Sequence, residues 1–260
     1  KQKGHVYCIV GDGESQEGQV YEMMNFASKY KLNNLIVFMD YNEVQLTDSL
    51  DKIMPYDPAA IFKAGGWHVI EVDGHNMKKM WAALERARLI KHKPVFILGR
   101  TIMGKGVDFM EKEGKAKRAT WHGKTAKPEQ AIDDLMRLEP SKQERDLLDR
   151  FRRTVKWKPK KAQFGKARTK VPMKTGRKRL YKAEELTECR TAYSKALLDL
   201  AKANKNVVAI TADLAGSVKT QYVKDEIPER HIDVGVAEQQ MISCAGGMSF
   251  MGMFPFASTF

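Results

Sequence analysis

The chain has 260 residues, 43% hydrophobic and 30% charged, the balance of a soluble globular protein with material for one large or two ordinary domains. No apolar run reaches the roughly 18 residues that a membrane helix needs, and three cysteines, Cys8, Cys189 and Cys244, are too few, too far apart and odd in number for a disulfide framework or a zinc pattern. The net charge of +13 is local: residues 141–182 carry 17 Lys or Arg against Glu144, Asp146 and Asp149, which excludes a basic domain surface as its source.

Taken in chain order, His5–Val10 reads as a buried strand that runs into Gly11-Asp12-Gly13. Val20, Met23, Met24 and Ala27 have helical spacing over Gln19–Tyr30. Leu35–Met39 is a second buried strand, ending at Asp40-Tyr41-Asn42. Trp67–Val72 is a third, ending at Asp73-Gly74-His75. Met77–Ile90 is an amphipathic helix and Pro94–Leu98 starts a fourth strand. From Arg100 to about Glu185 the alternation breaks: Gly104, Gly106 and Gly114 mark a long loop, Pro128–Arg153 forms one or two helices, and Trp157–Leu180 reads as a basic tether. Alternation resumes with a helix over Arg190–Ala203, a strand at Val207–Thr211, a strand at His231–Val234, a small-residue helix over Ala237–Ser249 and a strand at Phe254–Ala257. The expected fold is α/β, with two units of parallel sheet flanked by helices. Both units look incomplete, because the chain opens on a core strand and closes without a helix. In such sheets ligands sit beyond the carboxyl ends of the strands, where Asp12 and Asn42 fall.

Magnesium takes about six hard oxygen ligands near ~2.1 Å, some of them from a substrate phosphate. Asp12, Asn42 and a loop carbonyl near Val44 are three such oxygens, and Gly11 and Gly13 let a diphosphate approach the backbone. By itself a Gly-Asp-Gly turn with a structural aspartate explains the same residues. An Asn one βα unit later, 30 residues on, makes the pattern more specific.

GDGESQEGQVYEMMNFASKYKLNNLIVFMDYN, beginning at Gly11, resembles the cofactor segment of the transketolase family. GWHVIEVDGHN, TIMGKG, WHGKTAKPE, ADLAGS, DVGVAEQQM and PFASTF follow in that family's order. The resemblance spans nearly the whole chain except the basic tether. It implies two thiamine diphosphate-binding-fold units: a diphosphate-binding part over 1–125, a linker over 126–187, and a pyrimidine-binding part over 188–260. It implies thiamine diphosphate held through Mg2+ (or Ca2+ or Mn2+) by Asp12, Asn42 and Val44, with Gly11 and Gly13 against the diphosphate. It implies transfer of a two-carbon ketol unit from a ketose phosphate to an aldose phosphate, as in the pentose phosphate pathway. By resemblance, Glu238 hydrogen-bonds the aminopyrimidine and promotes its imino form, Asp213 faces the cofactor, and Phe260 stacks on the pyrimidine. His122 handles substrate hydroxyl protons, Arg190 and Ser217 grip the sugar phosphate, and Glu17 and Glu22 link two active sites across a homodimer whose sites lie between subunits. A cytoplasmic setting is expected, and this stretch is expected to be inactive alone.

Each assignment has a plainer alternative in the residues themselves. Glu238 reads equally as a helix cap, Glu17 and Glu22 as solvent-facing helix acids, His122 as a surface loop residue, and Arg190 and Ser217 as helix-end surface. His75 reads as a cap of the next helix. Met103 stands where some relatives have a lysine, with Lys105 as its possible substitute. A deoxyxylulose-phosphate synthase-like thiamine enzyme shares the Gly-Asp-Gly and Ala-Glu-Gln patterns, but the Trp-His-Gly histidine favours transketolase. A nucleic-acid-binding protein lacks any aromatic-basic recognition motif, and retention of Asp12, Asn42, His122, Arg190 and Glu238 argues against a decayed scaffold.

Overall fold

The computed structural model describes residues 4–154, 172–176, 178–182, 184–185 and 188–260. The chain divides into two compact units, Lys1–Lys160 and Lys161–Phe260. The tether read over Trp157–Leu180 lies largely outside the described residues.

In the first unit, strands β1 (Val6–Gly11), β2 (Leu35–Tyr41), β3 (His68–Asp73) and β4 (Val95–Arg100) form one parallel sheet in the order β1-β2-β4-β3. Successive side chains of a strand face opposite sides, and the inner strands use both. Val37, Met39, Phe96 and Leu98 pack with Met24, Ala27, Phe62 and Trp67 from helices α1 (Gly18–Lys29) and α3 (Pro58–Ala64) and the turn after α3. Ile36, Val95 and Ile97 pack with Ala83 and Ala87 of α4 (Met77–Leu89) on the other side. The short α2 (Leu50–Ile53) precedes α3. Capping explains where two helices begin: Asp57 accepts from the Ala60 N–H ahead of Pro58, and Asn76 from the Lys79 N–H, both at 3.0 Å. β1 departs from the expected buried strand, since Val6, Tyr7 and Ile9 are 55%, 54% and 76% exposed. Among the described residues it is an edge strand with β2 as its one sheet neighbour.

Helices α5 (Asp108–Lys115), α6 (Pro128–Arg137) and α7 (Lys142–Thr154) follow. These helices fall within the first compact unit. The Asp108 N–H donates to Asp134 Oδ2 at 2.9 Å, and Arg137 bonds Asp108 at 3.0 Å, so α6 is tied back onto α5.

The second unit holds α8 (Cys189–Ala203), β5 (Val207–Thr211), α9 (Gln221–Glu226), β6 (His231–Asp233), α10 (Glu238–Phe250) and β7 (Phe254–Ser258). Its parallel sheet has the order β6-β5-β7. All of β5 is buried, and Val207 and Ala209 meet Leu197, Leu198, Ala201, Val223 and Ile227 from the helices and their ends. All three cysteines are free. Among the described residues no helix is long and apolar enough to cross a membrane.

Candidate active site

The register of the first sheet aligns its carboxyl ends. Gly11 pairs with Asp40, Asp40 with Gly99, and both Tyr41 and Asp73 with Arg100. Asp12, Asn42, Gly74 and Thr101 therefore emerge at one edge. Asp12 is 4% exposed. Its Oδ1 accepts from the Gly13 N–H and its Oδ2 from the Glu43 N–H, each at 2.7 Å. Its carbonyl accepts from the hydroxyls of Ser15 at 2.8 Å and Tyr56 at 2.7 Å, which also bond each other. Burial pushes the Asp12 carboxyl above its ordinary range and the charges of Asp40 and Glu43 push the same way, against the two backbone N–H groups. Burial also pushes the Tyr56 phenol up to about 12, so it stays a donor to the turn.

Asn42 directly follows β2, and its Oδ1 accepts from the Val44 N–H at 2.9 Å. This leaves the oxygen a second lone pair. Glu43 sits between them in the left-handed region, φ 61°, and turns the chain so that Val44 is 1% exposed. The loop closes on itself through Gln45 N–H to Asp48 O and Leu50 N–H to Glu43 O, both 2.9 Å. The Gln45 amide packs against Gly13, 3.7 Å from where a β-carbon would stand, and its buried Nε2 has no hydrogen-bond partner among the described residues.

His122 follows a short turn, with its N–H on Ala119 O at 3.0 Å. Among the described residues its buried Nδ1 has no hydrogen-bond partner, and Gly123 (φ 71°) lies beside Leu46 of the Asn42 loop. The histidine is half-buried. His75 is not the cap of α4, a place taken by Asn76. Instead its Nε2 accepts from the Ile102 N–H at 2.7 Å and pins the loop that contains Met103. Lys105 turns its ammonium to Glu111 at 2.7 Å. A cavity of about 690 Å³ is lined by Asp40, Asn42, His75, Thr101 and Met103 but not by Asp12. Glu17 is exposed at the start of α1 and Glu22 half-buried on it.

In the second unit Arg190 and Ser217 come together. Arg190 Nη1 donates to the Ser217 carbonyl at 2.9 Å, and its guanidinium lies 5.9 Å from the Phe260 ring centre. Phe260 lies beyond the end of β7 and is 79% exposed, so it does not share the strand face of Phe256. Asp213 follows β5 with φ 60°. Its N–H bonds Asp233 Oδ1 at 2.9 Å, and the Gly235 N–H bonds the same oxygen at 3.0 Å. Glu238 is the first residue of α10 and half-buried. The capping alternative fails, because Ala237 occupies that position.

The sequence reading missed Ser15, Tyr56, Gln45 and Asp233. Asp233 had a signal, an acid at a strand end two residues before Gly235. Tyr56 had none, because it arrives from 44 residues away.

The donor set in the first unit fits a hard cation that carries a diphosphate: one buried carboxylate, one amide oxygen and a loop carbonyl. Asp40 and Glu43 add acidic charge around Asp12, part of which Lys117 offsets at 2.7 Å from Glu43, so a bridging cation would help to hold a diphosphate there. Among the described residues no three His, Cys, Asp or Glu side chains converge on a metal position.

By class, this is an α/β chain with oxygen donors at the carboxyl ends of parallel strands, a fold that binds phosphorylated cofactors there. Residues 2–168 match the family described as "Transketolase, thiamine diphosphate binding domain" and residues 186–260 the one described as "Transketolase, pyrimidine binding domain". The human transketolase is 32% identical over 265 residues, covering 98% of this chain and 39% of that protein. The mouse transketolase-like protein 2 is 31% identical over 259 residues with the same coverage. The crystal structure of transketolase from Campylobacter jejuni superposes with a TM-score of 0.70 at 24% identity, covering 99% of this chain and 43% of that one, which bears on the fold. The chain belongs to the transketolase family, and it spans about two fifths of the length of the relatives it matches.

Proposed function

We propose that this chain supplies cofactor- and substrate-holding residues of a transketolase that moves a two-carbon ketol unit from a ketose phosphate to an aldose phosphate, as in the pentose phosphate pathway. The observation that carries the reading is Asp12: a buried carboxylate at a strand end, one register step from Asn42, in an acidic setting that a divalent cation would neutralise. Asp12, Asn42 and the Val44 carbonyl hold Mg2+, and Ca2+ or Mn2+ would satisfy the same oxygens. Gly11 and Gly13 keep the turn free of side chains so that a diphosphate can approach.

When bound, thiamine diphosphate supplies the nucleophilic carbon and the electron sink. Glu238 shares a proton with the aminopyrimidine, which a half-buried carboxylate at a helix start does without losing it to bulk water. Phe260 provides an aromatic face and Asp213 a polar one. His122 moves protons at substrate hydroxyls, a task suited to an imidazole near neutral pH. The Arg190 fork and the Ser217 hydroxyl hold the sugar phosphate.

In this reading residues 1–125 bind the diphosphate, 126–187 connect, and 188–260 bind the pyrimidine. The active protein is a cytoplasmic homodimer, with Glu17 and Glu22 coupling its sites. The test is calorimetric titration of the whole protein with thiamine diphosphate. Binding is expected only with a divalent cation, and Asp12→Ala is expected to abolish it. Metal-independent binding, or unchanged affinity in Asp12→Ala, would falsify the assignment.

A further inference from the structure

Two loops of the first unit meet beside Asp12. One leaves β2 and carries Glu43 at φ 61°; the other leaves α5, carries Lys117 at φ 53° and leads to His122. Side chains other than Gly, Asn and Asp rarely hold the left-handed region, because Cβ crowds the following carbonyl. Such residues persist where their surroundings over-determine them. Here the two strained residues hold each other: Lys117 Nζ is 2.7 Å from Glu43 Oε1 and 3.6 Å from Asp51 Oδ2. The Glu43 N–H in turn holds Asp12 Oδ2 at 2.7 Å. A line of contacts thus runs from Lys117 through Glu43 to Asp12 and joins the loop before His122 to the buried carboxylate.

We propose that Lys117 is a positioning residue whose ion pair with Glu43 latches the His122 loop onto the Asn42 loop and sets Asp12 for the cation and its diphosphate. The inference rests on the cofactor reading above and adds a residue to it. Charge argues the same way. Glu43 stands close enough to act on the Asp12 carboxyl, and an unpaired Glu43 would repel an incoming diphosphate. Lys117 cancels that charge while leaving the acidic oxygens to the metal. A merely structural pair, with side chains 39% and 28% exposed, would be a surface salt bridge of small consequence.

The experiment titrates thiamine diphosphate into the whole protein at fixed Mg2+ and compares wild type with Lys117→Met, Lys117→Arg and the charge swap Lys117→Glu/Glu43→Lys. Thermal midpoints are measured without cofactor. Lys117→Met is expected to weaken cofactor affinity about tenfold, equivalent to ~1.4 kcal/mol, with its midpoint unchanged. Lys117→Arg and the charge swap are expected to restore most of the loss. Wild-type affinity in Lys117→Met would overturn the proposal. So would a loss that tracks a lowered midpoint and is not recovered by the swap. If wild type itself binds no cofactor, the reading of Asp12 and Asn42 falls first and this inference falls with it.

Discussion

Arg190 and Ser217, 27 residues apart, are joined by a 2.9 Å hydrogen bond from the guanidinium to the serine carbonyl. The bond holds the start of α8 against the loop after β5 and spends one of the five guanidinium N–H donors. Its Nη2 lies 3.9 Å from Glu188 Oε1, so an anion would compete with that carboxylate for the remaining donors.

That arrangement makes a prediction about substrate. Arg190→Ala is expected to raise KM for a ketose phosphate by about 10- to 100-fold, the worth of a charged hydrogen bond of ~1.5–3 kcal/mol, with a smaller change in kcat. Arg190→Lys should recover part of it, since charge returns without the planar fork. The control is an unphosphorylated ketose, and an equal loss on both substrates would remove the phosphate role.

Glu238 begins α10 and does not cap it, so its carboxylate is available to a ligand. Glu238→Gln keeps the volume but cannot share a proton. Cofactor affinity is expected to stay within a few-fold, while exchange of the cofactor's thiazolium C2 proton slows by about 100-fold or more. Hydrogen–deuterium exchange read by NMR decides the matter, and wild-type exchange rates would end the assignment.

Stability of the first unit should depend on Phe62. Its ring is 3% exposed, stacks on Phe96 at 3.9 Å between centroids and meets the edge of Trp67 at 5.2 Å. Phe62→Ala is expected to destabilise by ~3–5 kcal/mol, measured by urea unfolding. A loss below ~1 kcal/mol would mean that the helices close over the gap.

Glu111 predicts an acid limb. Lys105 and Lys115, each 2.7 Å from Oε1, hold its carboxyl down at about 2 from an ordinary 4.5. The folded value lies below the unfolded one, so the stabilisation is complete above pH 4.5 and is lost as pH falls toward 2. Thermal midpoints across that range should therefore fall more steeply in wild type than in Glu111→Gln. Superimposable profiles would show that the two lysines do not hold the carboxylate.

The sequence alone determined the alternation of strands and helices, and with it the α/β class. Short apolar runs such as Leu35–Met39 and Val207–Thr211, bounded by polar residues, read as strands, and Met24 with Ala27 marks an inward helix face. It also placed Asp12 and Asn42 at strand ends, because a polar residue after an apolar run is a local signal. Local signals carry no information about lateral neighbours. Only the tertiary structure decided that β1 is an edge strand with Ile9 in solvent, that β2 lies beside β1 and β4, and that α6 folds back onto α5. The same limit hid Tyr56, Gln45 and Lys117. Each reaches Asp12, its turn or Glu43 across tens of residues through side-chain contacts, and such contacts leave no period or spacing in the chain. Packing of the two loops brought them together, and packing depends on the whole unit's shape.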